Sequence, residues 1–426
     1  MAEKRKTNSI RTKGKHMKQE TIREILNDTD YIRISGSEEE KKAAEYLRGL
    51  CEQYGAKAYL EPFEVDTAVV HEAHLAADGK QIPCKGYKLC GSGSAEGPLC
   101  YLPNTDPSSL AQAKGKIVLL DTGITYWVYQ DLLEAGAAGF ITYDGNLRYE
   151  DRDIDDKMLR PYVSLGKKVP CVNINAKDAF ELVKAAPETV SIRVEQTESK
   201  GTSQNVIAEL PGTTGEWIVL SAHYDSTPLS HGAYDNMSGC IGLLGILEAL
   251  RSGAPYRYGL RFIFCGSEEV GLLGSKAYTA AHEEELEKIA LDINLDMIGT
   301  YMGRFIACVS AEEKLLHYIE YDCALRGWGI TGRQDVYSSD STPFADKGVP
   351  ALSFARIAPQ SQATIHNRYD TKAILSEDQM LRDIGFLADF TRTMAQAPKC
   401  PVSREIPDNV RNKLDEYLLR KRRKDG

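Results

Sequence analysis

Residues 216–226 (EWIVLSAHYDS), 235–252 (DNMSGCIGLLGILEALRS) and 260–269 (LRFIFCGSEE) follow one another in the second half of the chain. The first and the last are short apolar runs of the kind that form buried strands, and the middle one has the length of an apolar helix. A fourth run, IALDINLDMIG (289–299), predicts a further strand. Because strands alternate with helices here, we predict an α/β fold in which helices flank a mixed, mostly parallel central sheet.

The composition is that of a large globular protein. The chain has 426 residues, of which 42% are hydrophobic and 27% are charged, so it is long enough for two domains. Its net charge of -9 argues against a broad nucleic-acid-binding surface, which needs clustered Lys and Arg. No apolar run approaches the roughly 20 residues of a membrane span, and the basic residues 1–18 do not continue into a secretory signal. We therefore expect a cytoplasmic protein that binds neither nucleic acid nor membranes. The sequence does not predict its oligomeric state.

A change of sequence texture predicts an inserted domain at residues 91–199. GSGSAEGPLCYLP, rich in Gly, Pro and Ser, opens this segment, and the strand-like runs GKIVLLD, AAGFITYD and KKVPCVNIN surround the helix-like run YWVYQDLLEAGA. Residues 17–90 and 200–400 then form one discontinuous larger domain. The remaining residues, 401–426, predict a terminal helix that ends in a basic run.

Cap, turn and cysteine patterns predict local structure. SGSEEEKKAAEYLRGLCEQYG (35–55) predicts a helix with serine at its N-cap and acidic residues in its first turn. NVIAELPG (205–212) and the following EWIVLSAHYDS read as neighbouring strands with a turn at PGTTG between them. The ten cysteines form no CxxC pair, so we expect buried free thiols.

Four potential metal ligands lie at the ends of predicted strands or in polar loops. His223 follows WIVLSA, Asp235 lies in the small-residue loop GAYDNMSGCIG, Asp296 closes IALDINLDMIG, and His366 stands in SQATIHNRYDT. The carboxyl ends of parallel strands meet at one edge of a sheet, where α/β proteins bind their ligands. Each residue alone also has an ordinary structural explanation, such as a helix N-cap for Asp235.

The adjacent pair Glu268 and Glu269 carries the sharpest signal, because it directly follows the apolar run LRFIFCGS. Two like charges at a buried strand end are costly unless cations or a shared proton relieve them. A solvated pair that opens the next helix is the ordinary alternative. Since adjacent side chains point in different directions, we assign Glu269 to a metal and Glu268 to proton transfer.

Taken together, these residues match the needs of a two-zinc hydrolase. Two zinc ions that share one carboxylate require five ligands and a general base, and cobalt or manganese would also suit such nitrogen and oxygen ligands. Asp225 lies two positions after His223, on the same strand face, and is predicted to support the site. Asp370 is a possible loop-organising residue. The other histidines are expected to be structural or exposed: His16, His71, His74, His231, His282 and His317.

Six motifs, SAHYDS, GAYDNMSG, GSEEVGLLGS, NLDMIG, SSDSTPFADKGVPALSF and IHNRYDT, resemble in this order those of the di-zinc aminopeptidase and glutamate carboxypeptidase family of metallopeptidases. The resemblance covers about residues 20–90 and 200–400 and implies the zinc-exopeptidase, phosphorylase/hydrolase-like fold. The segment between these ranges is similar to the protease-associated domain that several such enzymes carry. The resemblance also implies the role of each site residue: His223 and Asp296 bind one zinc, Glu269 and His366 bind the other, Asp235 binds both, and Glu268 is the general base.

Peptides are the substrates that this resemblance implies, and an aminopeptidase is the activity that we favour, because a free α-amine is attracted to carboxylates. A carboxypeptidase or dipeptidase would use Arg or Lys to hold a terminal carboxylate, for which Arg356 and Arg368 are candidates. A glutaminyl cyclase and a non-catalytic binding protein are further alternatives. Some aminopeptidases of the family have an oxyanion-stabilising Tyr where this chain has Ile365; Tyr337, Tyr369 or a metal ion remain candidates for that role.

Overall fold

The structure is a computed structural model that describes residues 17–422. His16, most of the basic N-terminal stretch and the end of the basic C-terminal run lie outside the described residues. Fifteen strands are present among these residues: β1 (Lys57–Ala77), β2 (Lys80–Gln81), β3 (Lys85–Gly86), β4 (Gly93–Gly97), β5 (Leu99–Leu102), β6 (Ile117–Leu120), β7 (Gly139–Asp144), β8 (Cys171–Asn175), β9 (Val190–Leu210), β10 (Trp217–His223), β11 (Gly259–Cys265), β12 (Ile289–Leu295), β13 (Arg304–Ser310), β14 (Thr331–Gln334) and β15 (Ala351–Ile357).

The same part of the chain contains twelve α-helices, and a π-helical turn, Ala233–Met237, directly precedes the seventh of them. None of these helices is long and apolar enough to cross a membrane. The helices are α1 (Gln19–Asp28), α2 (Glu38–Gln53), α3 (Pro107–Leu110), α4 (Tyr126–Glu134), α5 (Pro161–Ser164), α6 (Ala176–Ala185), α7 (Ser238–Arg251), α8 (Leu273–Ala281), α9 (Glu313–Leu325), α10 (Ser341–Asp346), α11 (Glu377–Gln396) and α12 (Asp408–Tyr417).

A large mixed sheet forms the centre of the molecule, with the strand order β14-β13-β15-β12-β10-β11-β9-β1-β2 and with β4 paired to β9. The four strands β15, β12, β10 and β11 are mutually parallel, whereas β9, β1 and β2 pair in antiparallel fashion on one side. The predicted α/β fold with a mixed central sheet is therefore confirmed, and its parallel pairing is concentrated at the centre.

The predicted neighbouring arrangement of β9 and β10 is wrong, because β11 lies between them. The chain leaves β10, crosses over through α7 and returns parallel to β10 in β11, which then pairs antiparallel with β9. The turn at residues 211–215 therefore connects strands that are two positions apart, and a turn signal alone does not fix which strands pair.

Helices cover both faces of the large sheet, because successive side chains of a strand point to opposite faces. Ile218 and Leu220 of β10 face a core that α1, α2, α7, α9 and α11 complete. Val219, between them, faces a smaller core that α8, α10 and α12 complete. All three side chains are fully buried, and each contributes roughly 1.5–3 kcal/mol to folding.

A second sheet, with the order β3-β8-β7-β6-β5, has a core of its own. The strands β1 and β9, each of 21 residues, pair along their whole length and contribute to the cores of both sheets. Strand β9 passes through residue 200 without a break. The domain boundaries at residues 91, 200 and 401, and the likeness to a protease-associated domain, stay predictions.

Two local predictions are confirmed. Ser37 is the N-cap of α2, and its side chain accepts a hydrogen bond from the backbone N–H of Glu40 at 3.1 Å. All ten cysteines are free, and each of them except Cys84 is buried.

Candidate metal centre

The carboxyl ends of three adjacent parallel strands bring four of the predicted side chains to one edge of the large sheet. His223 ends β10, Glu268 and Glu269 follow β11, and Asp296 follows β12. Asp235 lies in the π-helical turn before α7 and is joined to Asn236 by a cis peptide bond. His366, in the loop after β15, completes the group of six predicted residues, all of which line one cavity.

Asp235 lies between the two histidines. Its Oδ1 atom is 3.1 Å from Nε2 of His223, and its Oδ2 atom is 3.1 Å from Nε2 of His366. On one side, Oδ1 of Asp296 lies 3.8 Å from His223 Nε2, and on the other, Oε2 of Glu269 lies 3.2 Å from His366 Nε2. His223 therefore lies near Asp296, His366 lies near Glu269, and Asp235 lies beside both histidines.

The chemistry of these donor atoms fits divalent cations. One possible ligand atom each from His223, Asp235 and Glu269 lies within 4.8 Å of the other two. Among residues 17–422, Oε1 of Glu269 and Oδ1 of Asp296 are buried and have no hydrogen-bond partner. Unpartnered buried carboxylate oxygens are costly, and a cation relieves that cost. Imidazole nitrogens with carboxylate oxygens form a ligand set that zinc accepts.

The pKa values show how strongly these charges interact. Burial, together with the neighbouring Asp235 carboxylate, raises the pKa of Glu269 to about 7. Burial lowers the pKa of His366, but its hydrogen bonds with Asp235 and Glu269 outweigh that effect and raise the pKa to about 11. The pKa of His223 is likewise raised well above its usual value, against the effect of burial, by the carboxylates around it. Burial raises the pKa of Glu268 well above its usual value.

Two buried carboxylates position the loops that carry the site. Asp225 accepts hydrogen bonds from the backbone N–H groups of Glu268 at 2.9 Å and Glu269 at 3.1 Å. Its Oδ1 atom also lies 3.5 Å from Nδ1 of His223, which agrees with the predicted support. Asp370 accepts the backbone N–H group of Asp235 at 3.2 Å, so it organises the loop that precedes α7.

Sequence reasoning missed two other supporting residues, Arg33 and Glu40, which are both fully buried. Arg33 donates to the backbone oxygens of Tyr224 at 2.6 Å and of His231 at 2.7 Å. Glu40 accepts the backbone N–H group of Ser267, directly before the glutamate pair, at 2.9 Å. A lone charged residue far from the motifs gives no sequence signal for such contacts.

The arginines that were candidates for holding a substrate carboxylate are engaged elsewhere. Arg356 donates to Asp383 through Nη2 at 2.6 Å and through Nε at 2.9 Å, and Arg368 is paired with Asp153. The hydroxyl of Tyr369 donates to Asp151 at 2.6 Å. Of the two tyrosines that were candidates for the oxyanion role, Tyr337 lines the cavity and Tyr369 does not.

The five other described histidines stay outside this group. Three of them contact acidic side chains within hydrogen-bonding distance: His74 with Glu72, His231 with Asp30 and His282 with Glu61. His71 contacts Thr197, and His317 lies 4.0 Å from Glu313. The prediction that these are structural or exposed side chains agrees with these contacts.

The cavity over the site has a volume of about 940 Å³, which lies in the range of small-ligand sites. Residues outside the six motifs also line it. They include Arg160, directly before α5, and Tyr162, within α5. Lys276 on α8 and Tyr417 at the end of α12 also line the cavity. The hydroxyl of Tyr417 lies 2.6 Å from Oγ of Ser338, which places the C-terminal helix at the cavity wall.

Comparisons with known proteins point to one family. The model of peptidase family M28 matches residues 205–388. Aminopeptidase YwaD of Bacillus subtilis is 28% identical over 347 residues, which are 78% of this chain and 73% of that protein. Leucine aminopeptidase 2 of Trichophyton rubrum is 32% identical over 197 residues, which are 45% of this chain and 38% of the fungal protein.

Two solved structures share the fold across most of the chain. The aminopeptidase from Aneurinibacillus sp. strain AM-1 superposes with a TM-score of 0.71 at 22% identity, over 91% of this chain and 96% of that one. BSAP, a zinc aminopeptidase from Bacillus subtilis, superposes with a TM-score of 0.71 at 24% identity, over 91% of this chain and 98% of that one. Because the matched part of each chain is nearly complete, the smaller sheet belongs to the shared architecture.

Proposed function

We propose that the chain belongs to peptidase family M28 and is a zinc-dependent aminopeptidase that releases N-terminal residues from peptides. The observation that carries the proposal is the Asp235 carboxylate, which lies 3.1 Å from an imidazole nitrogen on each side. Two of the relatives described above are named aminopeptidases, and one similar structure is of a zinc enzyme.

We propose two zinc ions, for which cobalt or manganese could substitute. His223 and Asp296 would hold one ion, Glu269 and His366 the other, and Asp235 both. When bound, such ions polarise a carbonyl oxygen and lower the pKa of water. The position of Asp235 between the two imidazoles supports this assignment.

Glu268 is the proposed general base and acid. Glu268 lines the same cavity as the proposed ligands. A hydrogen bond from its backbone N–H group to Asp225 holds its backbone in place. Burial raises the pKa of Glu268, and a raised pKa suits a group that takes a proton and later returns it. In the proposed reaction, Glu268 accepts a proton from the attacking water and donates it to the nitrogen of the leaving amine as the peptide C–N bond breaks.

Tyr337 is the proposed oxyanion donor. Burial and the nearby Asp296 raise its pKa, so its hydroxyl keeps its proton and remains a donor. Replacing this donor should lower kcat by about 10²-fold and leave KM nearly unchanged, because the bond forms as negative charge develops. Steady-state kinetics of Tyr337→Phe tests this role, with Tyr369→Phe as the matched control; a larger loss in the control would assign the role to Tyr369.

An aminopeptidase is favoured over a carboxypeptidase because carboxylates surround the site and attract a free α-amine. The two arginines that would have supported a carboxypeptidase are occupied by Asp383 and Asp153. A dipeptidase shares the same site chemistry and differs in substrate length, so it remains the second candidate.

Mass spectrometry of peptide digests tests the proposal. One peptide is supplied in free, N-acetylated and C-amidated forms to the zinc-loaded protein. Loss of single residues from the amino end, blocked by acetylation, is the expected result. Loss from the carboxyl end, blocked by amidation, would show a carboxypeptidase instead, and absence of any cleavage would contradict a peptidase.

A further inference from the structure

Among the described residues, three basic side chains that line the cavity make no ion pair: Arg160, Lys276 and Arg333. Among residues 17–422, no carboxylate oxygen lies within 4.0 Å of the Lys276 ammonium or the Arg160 guanidinium, although both side chains line the same cavity as the proposed metal ligands. Most other arginines near this part of the molecule are paired, such as Arg368 with Asp153 and Arg420 with Asp346. Carboxylates of the proposed metal centre line the same cavity, but neither Lys276 nor Arg160 makes an ion pair with them.

The two cations are held close to one another. Arg160 donates through Nη1 to the hydroxyl of Tyr162 at 3.0 Å, and Nζ of Lys276 lies 5.5 Å from the centre of the same ring. Arg160 also donates through Nη2 to the backbone oxygen of Glu269 at 2.8 Å. Burial and the neighbouring Arg160 lower the pKa of Lys276. Both positive groups therefore lie close to Tyr162, in the cavity that also contains the proposed metal centre.

Neighbouring cations that are partly removed from water favour an anion between them. Burying a charge is costly unless it is paired, and hydrogen bonds between charged groups are about twice as strong as neutral ones. The hydrogen bonds that Arg160 makes go to a neutral hydroxyl and a backbone oxygen, so its charge is not compensated. Lys276 Nζ, among the described residues, makes no hydrogen bond at all, and its three donors are available.

The position of these groups restricts where the anion belongs on a substrate. The bond from Arg160 to the Glu269 backbone ties the guanidinium to the segment that carries a proposed zinc ligand, so an anion bound there shares the cavity with the metal centre. The cavity of about 940 Å³ has room for only a few residues, and Tyr162 and Tyr417 form part of its wall.

We propose that Lys276 and Arg160 bind a carboxylate of the substrate, so that the preferred substrates are short peptides with a free carboxylate near the scissile bond. The carboxylate belongs either to the C-terminus of a dipeptide or tripeptide or to an Asp or Glu side chain. This inference rests on the proposed peptidase function.

The test compares four substrates: the dipeptide Leu-Gly, its C-terminal amide, and the C-terminal amides of Leu-Glu and Glu-Gly. The expected result is that at least one carboxylate-bearing peptide exceeds the Leu-Gly amide by tenfold or more in kcat/KM. Lys276→Gln and Arg160→Gln should each remove most of that preference through a higher KM for the carboxylate-bearing peptides. The free dipeptide and the side-chain peptides distinguish the two sources of the carboxylate.

Three further variants make the result specific. Lys276→Arg keeps the charge and should restore the preference. Lys288→Gln, at an exposed position after α8, should change nothing. Arg333→Gln removes another cation that lines the cavity; a preference that follows Arg333 rather than Lys276 would overturn the proposal.

Binding measurements separate this proposal from the peptidase proposal. Isothermal titration calorimetry of the same four peptides against Glu268→Gln protein, with and without Lys276→Gln, does not require turnover. If Glu268→Gln protein binds the carboxylate peptides more tightly than the Leu-Gly amide, and the double variant Glu268→Gln/Lys276→Gln does not, the carboxylate site is supported. This holds even if the wild type cleaves nothing. Equal binding of the Leu-Gly amide and all carboxylate peptides, or a preference that persists in the double variant, would contradict it.

Discussion

The carboxylate of Asp225 accepts a hydrogen bond from the backbone N–H group of Glu268, with an N···O distance of 2.9 Å. Its other oxygen accepts the N–H group of Glu269 at 3.1 Å, and the ring of His223 lies beside it. One buried carboxylate thus connects the end of β10 with the turn after β11. Its two hydrogen bonds hold the proposed base and one proposed zinc ligand, Glu269, and a second proposed ligand, His223, lies 3.5 Å from the same carboxylate.

Asp225→Asn should weaken the metal centre without unfolding the protein. An asparagine presents an amide nitrogen to one of the two backbone donors, so one hydrogen bond is lost and that N–H group faces another donor. Losing such a supporting contact typically costs 10–100-fold in metal affinity or activity. Zinc titration against a competing chelator, together with kcat/KM, measures the effect.

Asp292→Asn is the matched control for that prediction. Asp292 is also fully buried, and burial raises its pKa well above its usual value, so an asparagine resembles its protonated form. Its Oδ1 accepts Ser221 Oγ at 3.0 Å, which an asparagine oxygen can also do. Zinc affinity should stay within about twofold of wild type. If both substitutions lowered zinc affinity equally, the conclusion that Asp225 specifically supports the metal centre would be wrong.

Zinc binding should release protons at neutral pH. In the metal-free site the hydrogen bonds of His366 with Asp235 and Glu269 raise its pKa to about 11, so at pH 7 its imidazole is protonated. A metal ligand must be a neutral imidazole, so binding displaces this proton, and zinc affinity should rise as pH increases toward that pKa. Calorimetry in buffers of different ionisation enthalpy gives the number of protons released. We expect zinc binding to His366→Ala protein to release about one proton fewer than binding to the wild type. If zinc binding to the wild type released no protons, the prediction would be contradicted.

Arg33→Ala should destabilise the fold strongly. The guanidinium is fully buried and, besides Tyr224 and His231, donates to the backbone oxygens of Thr29 at 2.8 Å and Gly232 at 3.0 Å. Its removal leaves several buried acceptors unsatisfied, each at roughly 1–3 kcal/mol, so a loss above about 3 kcal/mol in the free energy of unfolding is expected. Chemical denaturation measures this quantity. Arg23→Ala, which removes an exposed pair with Glu377, should cost at most about 1 kcal/mol.

The sequence predicted those features that depend on local pattern. Apolar runs of strand length located β10, β11 and β12. Acids and histidines at their ends indicated the candidate site, because parallel strands bring their carboxyl ends to one edge. Pairing order was less predictable: β11 lies between β9 and β10, and only the crossover through α7 decides that. The cytoplasmic location stays a prediction.

Contacts between distant segments were not predictable. Arg356 stands near His366 in sequence, yet its side chain pairs with Asp383 on α11, and nothing in the local sequence indicates that partner. Arg160 and Lys276 belong to segments without a motif and come together only at Tyr162. Lone charged residues acquire their roles from tertiary structure, so sequence patterns do not reveal them.

The most direct test of the central claim is a paired measurement of zinc content and kcat for Glu268→Gln, with the wild type alongside. The glutamine keeps the shape of the side chain and removes its ability to accept and return a proton. We predict unchanged zinc content by mass spectrometry and a loss of at least about 10²-fold in kcat, which is the lower end of what a general base contributes. A near-normal kcat with zinc bound would contradict the assignment of Glu268 and the mechanism built on it.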